Sequence, residues 1–222
     1  MKLTKFEKCL WIVSVIVVTG SFFAFKSTDY LTLIASLIGV TSLIFLAKGH
    51  AIGQILIIIF SVFYGIISMK VKYYGEMITY LGMTTPMAIV ALISWIRHQF
   101  KDTNEVEINR MTKKQTAVML TLTAVTTIIF YFILKKLGNA SLFFSTVSIA
   151  TSFLASYLTA MRSPYYALGY AANDLVLIVL WIISSTQNIS SVSMVACFVM
   201  FLFNDLYGFI NWKKMEQRQN TH

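Results

Sequence analysis

The sequence predicts an all-α integral membrane protein with eight transmembrane helices, and three observations carry that prediction. Only 12% of its 222 residues are charged while 57% are apolar, against about 25% charged in ordinary soluble domains. The apolar residues come in runs of about 20, the length that crosses the hydrocarbon core of a bilayer. Lys and Arg sit at the ends of these runs, so the net charge of +9 reads as membrane topology and excludes a nucleic-acid footprint.

The first run lies in MKLTKFEKCLWIVSVIVVTGSFFAF, which has the lysines and apolar core of a signal peptide. It lacks a small-x-small cleavage site and approaches spanning length, so an uncleaved helix over about 8–25 is expected. Spans two and three, about 29–47 and 51–69, are separated by Lys48-Gly49-His50. Span four, about 76–96, contains Pro86, which removes a backbone donor and is expected to kink the helix. Residues 97–115 read as a solvated connector with five Lys/Arg and three acids. Span five, about 116–134, ends in Lys135-Lys136 and a Gly138-Asn139 turn. Span six, about 141–160, is rich in Ser, Thr and Ala, which suits close helix packing. A short MRSP turn (161–164) leads into span seven, about 165–185, and span eight, about 191–212, ends in the basic WKKMEQRQ. Eight crossings put both termini on one side. With that side cytoplasmic, thirteen Lys/Arg fall inside and five outside, the bias expected of a multi-pass plasma-membrane protein with cytoplasmic termini.

A weak internal repeat organises these spans. Spans four and eight end alike, Ile93-Ser94-Trp95-Ile96-Arg97 against Ile210-Asn211-Trp212-Lys213-Lys214. Spans two and six share Thr41-Ser42 and Thr151-Ser152, and spans three and seven carry amides, Gln54 and Asn173. Two parallel three-helix bundles follow, 29–97 and 141–213. A loop and linker helix (98–140) joins them, an extra N-terminal helix (1–28) precedes them, and a cytoplasmic tail (214–222) ends the chain. Such a plan places a transport site near the midplane between the repeats.

The residue inventory speaks against an enzyme. His50, His98 and His222 have no metal-site spacing to acids or cysteines, and no phosphate loop or nucleophile elbow is present. No cofactor, metal or ATP motor is therefore expected, and Cys9 and Cys197 read as inert thiols in apolar segments. What stands out is Tyr165–Trp181, YYALGYAANDLVLIVLW, with Asn173 and Asp174 well inside a span. A carboxylate there costs roughly 2.5–3.5 kcal/mol, so it normally faces a cavity or a partner. At helical spacing Tyr170, Asp174, Leu177 and Trp181 share one stripe, with Tyr166 one turn earlier. Aromatic faces plus an acid suit a small, ring-bearing and cationic ligand. Asn204 beside Asp205 in span eight, and Gln54 in span three, are further candidates, each with helix–helix packing as the alternative role. Trp95 and Trp212 read as interfacial anchors, Glu76 as a solvated span-end acid, and Arg162 as a topology charge.

Three segments carry a family resemblance: SFLASYLTAMRSPYYALGYAANDLVLIVLW (152–181), YGFINWKK (207–214) and, more loosely, FYGIISMKVKYYGEM (63–77). Through them the chain resembles the PnuC transporters, which take up nicotinamide riboside by facilitated diffusion and are related in fold to SWEET sugar transporters. The resemblance implies two three-helix units around a linker helix, alternating access, a homotrimer, and a cytoplasmic kinase that traps the imported riboside. In that family the helix equivalent to span seven bears a Trp-x-x-Trp motif followed by a polar residue. By position the second Trp falls on Tyr170, the polar residue on Asp174 or Asn173, and the first Trp on or beside Ala167, next to Tyr166. Tyrosine thus stands in the place of tryptophan, and thiamine and deoxynucleosides remain alternative cargoes. A non-transporting membrane subunit is the reading from a different class.

Overall fold

The computed structural model describes residues 3–101 and 103–221, so His222 lies outside the described residues. The chain crosses in eight helical segments, each long and apolar enough to span a bilayer. They are α1 (Lys5–Ala24), α2 (Tyr30–Ala47), α3 (Ile52–Lys70), the broken span α4 (Tyr74–Thr79) and α5 (Thr85–Arg97), α6 (Lys113–Lys136), α7 (Leu142–Ala160), α8 (Tyr166–Ser185) and α9 (Val192–Asn220). Two of them start on reciprocal caps. Thr4 accepts from Glu7 N while Glu7 Oε2 accepts from Thr4 N, and Thr112 and Gln115 repeat the arrangement at α6.

Span four departs from a simple proline kink. Residues Tyr80–Thr84 wind as a π-helical turn between α4 and α5, and Pro86 sits in the first turn of α5. The Thr85 N–H reaches back to the Tyr80 carbonyl, which also accepts from Thr85 Oγ1 at 2.8 Å. The widened turn absorbs the missing proline donor, and such turns recur at functional sites.

Packing follows a crossed pattern. Helices α2 and α3 pack together and α3 against α5, while α7 and α8 pack together and α8 against α9. The first helix of each group also lies against the last helix of the other, α2 on α9 and α7 on α5. Two tryptophans repeat that crossing. Trp95 at the end of α5 donates to the Thr159 carbonyl (3.0 Å) at the end of α7, and Trp212 on α9 donates to the Leu46 carbonyl (2.8 Å) at the end of α2. Their rings meet at 5.3 Å and are 1% and 0% exposed, so they are not interfacial anchors. A partner from the other helix group covers each. Close approach is also written into Gly169, where an added Cβ would lie 2.9 Å from the Ala155 Cα across the α7–α8 contact.

The polar connector is folded rather than freely solvated. Val106 is buried, its N–H bonds the Gly49 carbonyl at 2.9 Å, and short antiparallel bridges pair Gln99 with Val106 and His50 with Glu105. Gly49 takes a φ of +64°, and an added Cβ would meet Met215 at 2.7 Å. The connector in turn holds the tail. Gln219 bonds both Val106 O (3.0 Å) and Ile108 N (2.8 Å), and Arg218 pairs with Glu105. These contacts explain why α9 continues well past Trp212.

Candidate functional site

Three layers of side chains occupy the middle of the molecule. In the central layer a small cavity is walled by Leu43 and Leu46 of α2, Ile57 and Phe60 of α3, Tyr80 and Thr84 of the π turn, Tyr170 and Asp174 of α8, and Phe201 and Asp205 of α9. Four different spans and the π turn thus meet at one point. Asp174 and Asp205 are each 3% exposed, and Asp174 Oδ2 has no hydrogen-bond partner among the described residues. The wall therefore holds two carboxyl groups and three kinds of aromatic or aliphatic surface, with no Lys, Arg or His among its described residues. That field favours a cation and repels an anion.

The layer toward α9's C-terminal end is formed by Tyr166, Trp95 and Trp212. Tyr166 lies 4.7 Å from Trp212 and 6.3 Å from Tyr170, ring to ring. The opposite layer is Tyr64, Tyr73 and Trp181. Trp181 Nε1 donates to the Tyr64 hydroxyl at 2.9 Å, and the Tyr73 hydroxyl donates to the Leu180 carbonyl at 2.9 Å. Both seals are shut. About 30 Å³ of the cavity is open to the centre of a water-sized sphere, room for about one or two waters, whereas sites for drug-sized ligands measure about 300 Å³ or more. A ligand enters only when one seal separates.

The candidate residues divide accordingly. Tyr170 and Asp174 line the cavity, while Tyr166 and Trp181 belong to the layers that close it. Asn173 points elsewhere: its Oδ1 lies 3.1, 2.9 and 3.0 Å from the hydroxyls of Ser148, Thr151 and Ser152 on α7. Asn204 donates to Ser14 on α1 at 3.0 Å and to its own Met200 carbonyl at 2.7 Å. Gln54 is 1% exposed with Nε2 unpartnered, and it is not part of the cavity wall. Glu76 corrects the expectation of a solvated acid. It is wholly buried, with Oε2 3.0 Å from the Ser148 hydroxyl and Oε1 unpartnered. Residue 76 is near a span end, but α4 packs there closely on the first turn of α7, where an added Gly75 Cβ would lie 2.8 Å from Ser145.

Seven wall residues lie outside the sequence reading, Leu43, Leu46, Ile57, Phe60, Tyr80, Thr84 and Phe201. Phe60, Tyr80, Thr84 and Phe201 carry no mark that separates them from the other Phe, Tyr and Thr of apolar spans. Asp205 did carry one. The dipeptide Asn-Asp occurs in both α8 and α9, and in both the aspartate faces the cavity while the asparagine secures a neighbouring helix.

Residues 29–214 match the model of the family described as nicotinamide mononucleotide transporter. The chain belongs to that family. Among its relatives are two proteins named nicotinamide riboside transporter PnuC. That of Neisseria mucosa is 27% identical over 98% of this chain and 84% of its own length. That of Haemophilus influenzae is 23% identical over 86% of this chain and 83% of its own length. A crystal structure of the vitamin B3 transporter PnuC superposes with a TM-score of 0.85 at 25% identity, covering 98% of this chain and 94% of that one. A membrane transporter with the PnuC fold is thus established, and an enzyme is not what the relatives are. Helix α1 precedes the family-matched residues but is included in the structural match.

Proposed function

We propose that this transporter carries nicotinamide riboside into the cell by facilitated diffusion. The carrying observation is the sealed central cavity in which Asp174 and Asp205 meet Tyr170, Tyr80, Phe60 and Phe201 with no basic residue in the wall. Nicotinamide riboside bears a pyridinium cation and neutral hydroxyls. The aromatic faces suit the ring, and a desolvated carboxylate offsets its charge or accepts from a ribose hydroxyl. The mononucleotide adds a phosphate, for which a wall of two carboxyl groups with no basic side chain among its described residues offers no counter-charge. The relatives named for the riboside support the same cargo.

Transport proceeds by alternating access. Two three-helix units, 29–97 and 141–213, rock about the cavity, with α6 as the linker. One seal opens at a time, Trp95–Trp212–Tyr166 toward the cytoplasm and Tyr64–Tyr73–Trp181 toward the outside. The π turn at Tyr80–Thr84 supplies two wall residues, Tyr80 and Thr84, and a flexible point within one unit. Both termini are cytoplasmic, which the thirteen-to-five charge bias supports. Net uptake then depends on a cytoplasmic kinase that phosphorylates the riboside, and the protein assembles as a homotrimer, as the family resemblance implies.

Thiamine is the second reading, because it is also a cationic aromatic and tyrosine replaces tryptophan at position 170. Equilibrium binding of radiolabelled nicotinamide riboside to purified protein decides between them. Unlabelled riboside is expected to compete at least about tenfold better than thiamine, deoxynucleosides or nicotinamide mononucleotide. Stronger competition by thiamine reassigns the cargo, and binding of none removes it.

A further inference from the structure

Away from the central cavity, two adjoining hollows run along the face made by α6, α7 and α8. The smaller one, about 360 Å³, is bounded by Thr123, Leu154, Leu168, Gly169 and Ala172 among others. Its wall is apolar toward an occupant, because Thr123 turns its hydroxyl to the Met119 carbonyl and Thr151 turns its own to Val147 and Asn173. The second, about 610 Å³, opens at the end where the connector lies and is lined by Asn109, Arg110, Thr116, Ser163 and Glu216. Leu158 and Tyr165 wall both hollows, so they form one groove with an apolar length and a polar mouth.

Charge at the mouth is mostly positive. Glu216 is already matched by Arg110 (3.1 Å) and Lys213, and Lys213 also lies 5.2 Å over the Tyr165 ring. Arg110 uses only Nε in that pair and its side chain is 69% exposed, so the rest of its guanidinium faces the mouth. Lys113 and Lys114 stand exposed in the first turn of α6. From Ala150 to Leu158 the apolar part runs about 12 Å along α7 at ~1.5 Å per residue. That is close to one leaflet's share of a ~30 Å hydrocarbon core.

We propose that this groove is a binding site for an anionic phospholipid of the leaflet at the connector end. One acyl chain lies along α6 and α8, and the phosphate sits at the mouth against Arg110. A soluble anion satisfies the mouth alone and leaves the apolar length unfilled, whereas a neutral lipid fills the length and leaves the free guanidinium nitrogens of Arg110 unmatched. The site does not depend on which vitamin is carried.

Native mass spectrometry of the purified full chain, with phosphatidylglycerol and phosphatidylcholine added in equal amounts, tests it. Phosphatidylglycerol is expected to be retained at one per chain and at least about fivefold over phosphatidylcholine. Ala172→Trp, which fills the apolar length from an exposed position, should bring retention down to background, and Arg110→Gln should erase the preference. Val90→Trp, on an exposed face of α5, should change neither. Equal retention of the two lipids, or full retention in Ala172→Trp, overturns the proposal. So does a thermal shift by inorganic phosphate equal to that by phosphatidylglycerol. Loss of a protein oligomer in Ala172→Trp without loss of lipid assigns the groove to a second copy of the chain and overturns it as well.

Discussion

Two buried acids, one at the N-terminal seam and one in the central cavity, show how differently this fold treats a carboxyl group. Glu7 of α1 is 1% exposed and fully engaged. It caps Thr4 N (2.6 Å), accepts from the Tyr207 hydroxyl (2.7 Å) and pairs with Lys48 (3.2 Å). Asp174 is equally buried, yet one oxygen has no partner and the neighbouring acid is Asp205. Burying a charge is costly unless partners surround it. A saturated acid is therefore architecture. Under the function proposed above, the open oxygen of Asp174 is kept for a cationic cargo, whereas Glu76, also buried with one oxygen unpartnered, lies outside the cavity wall.

The comparison is easiest to break at Asp174. Asp174→Asn is expected to lower uptake of nicotinamide riboside into proteoliposomes at least about 30-fold, equivalent to roughly 2 kcal/mol, with the melting temperature little changed. Asp205→Asn should cost less than about fivefold. Small, equal losses at both positions would return the pair to a packing role. Glu7→Gln should behave in the opposite way. Loss of the charge opposed to Lys48 is expected to cost about 1–2 kcal/mol of stability, less than a fully dry pair because Lys48 is 20% exposed. Uptake per folded molecule should stay within about twofold, and a transport defect with normal melting would make Glu7 part of the machinery.

The aromatic half of the cavity gives a smaller effect. Tyr170→Phe keeps the ring and loses only a hydroxyl 3.4 Å from Ser156, so riboside affinity should fall less than about threefold. Tyr170→Leu should lose about tenfold, and equal losses in the two variants would shift the weight from the ring to the hydroxyl. Smallest of all is Lys70→Gln. Its pair with Asp29 has side chains 51% and 36% exposed, and breaking it is expected to cost about 0.5 kcal/mol or less, vanishing at 1 M salt.

Much of the fold was legible because the bilayer imposes one rule on every span. Length and hydropathy place the eight helices within a few residues except at the end of α9, which runs to Asn220, and the Tyr170–Asp174 stripe marks the cavity because an acid in that setting has few explanations. The misreadings share a cause. Trp95 and Trp212 carry the local pattern of an interfacial anchor, and only the crossing of the two helix groups turns them inward. Glu76 is buried by α7, 72 residues away from it at Ser148. Asn173 and Asn204 are as polar as their aspartate neighbours, yet each sits about 100° further around its helix and meets another helix instead of the cavity. The connector was read from its charges, which hid the backbone bonds that tie it to Gly49 and to Gln219. Local composition reports the solvent of a segment, and non-local contact decides the role of a side chain within it.

The indole bracket bears on turnover more than on taste. Trp95 and Trp212 each hold a carbonyl of the opposite helix group, and their rings touch. In the transport cycle proposed above, parting the two helix groups at this end breaks both bonds and the ring contact. Access from this end therefore has a single threshold, like a clasp with two hooks on one spring. Changes to the clasp alter how often the carrier cycles for every cargo alike, and leave the ranking of cargoes to the acids and rings behind it.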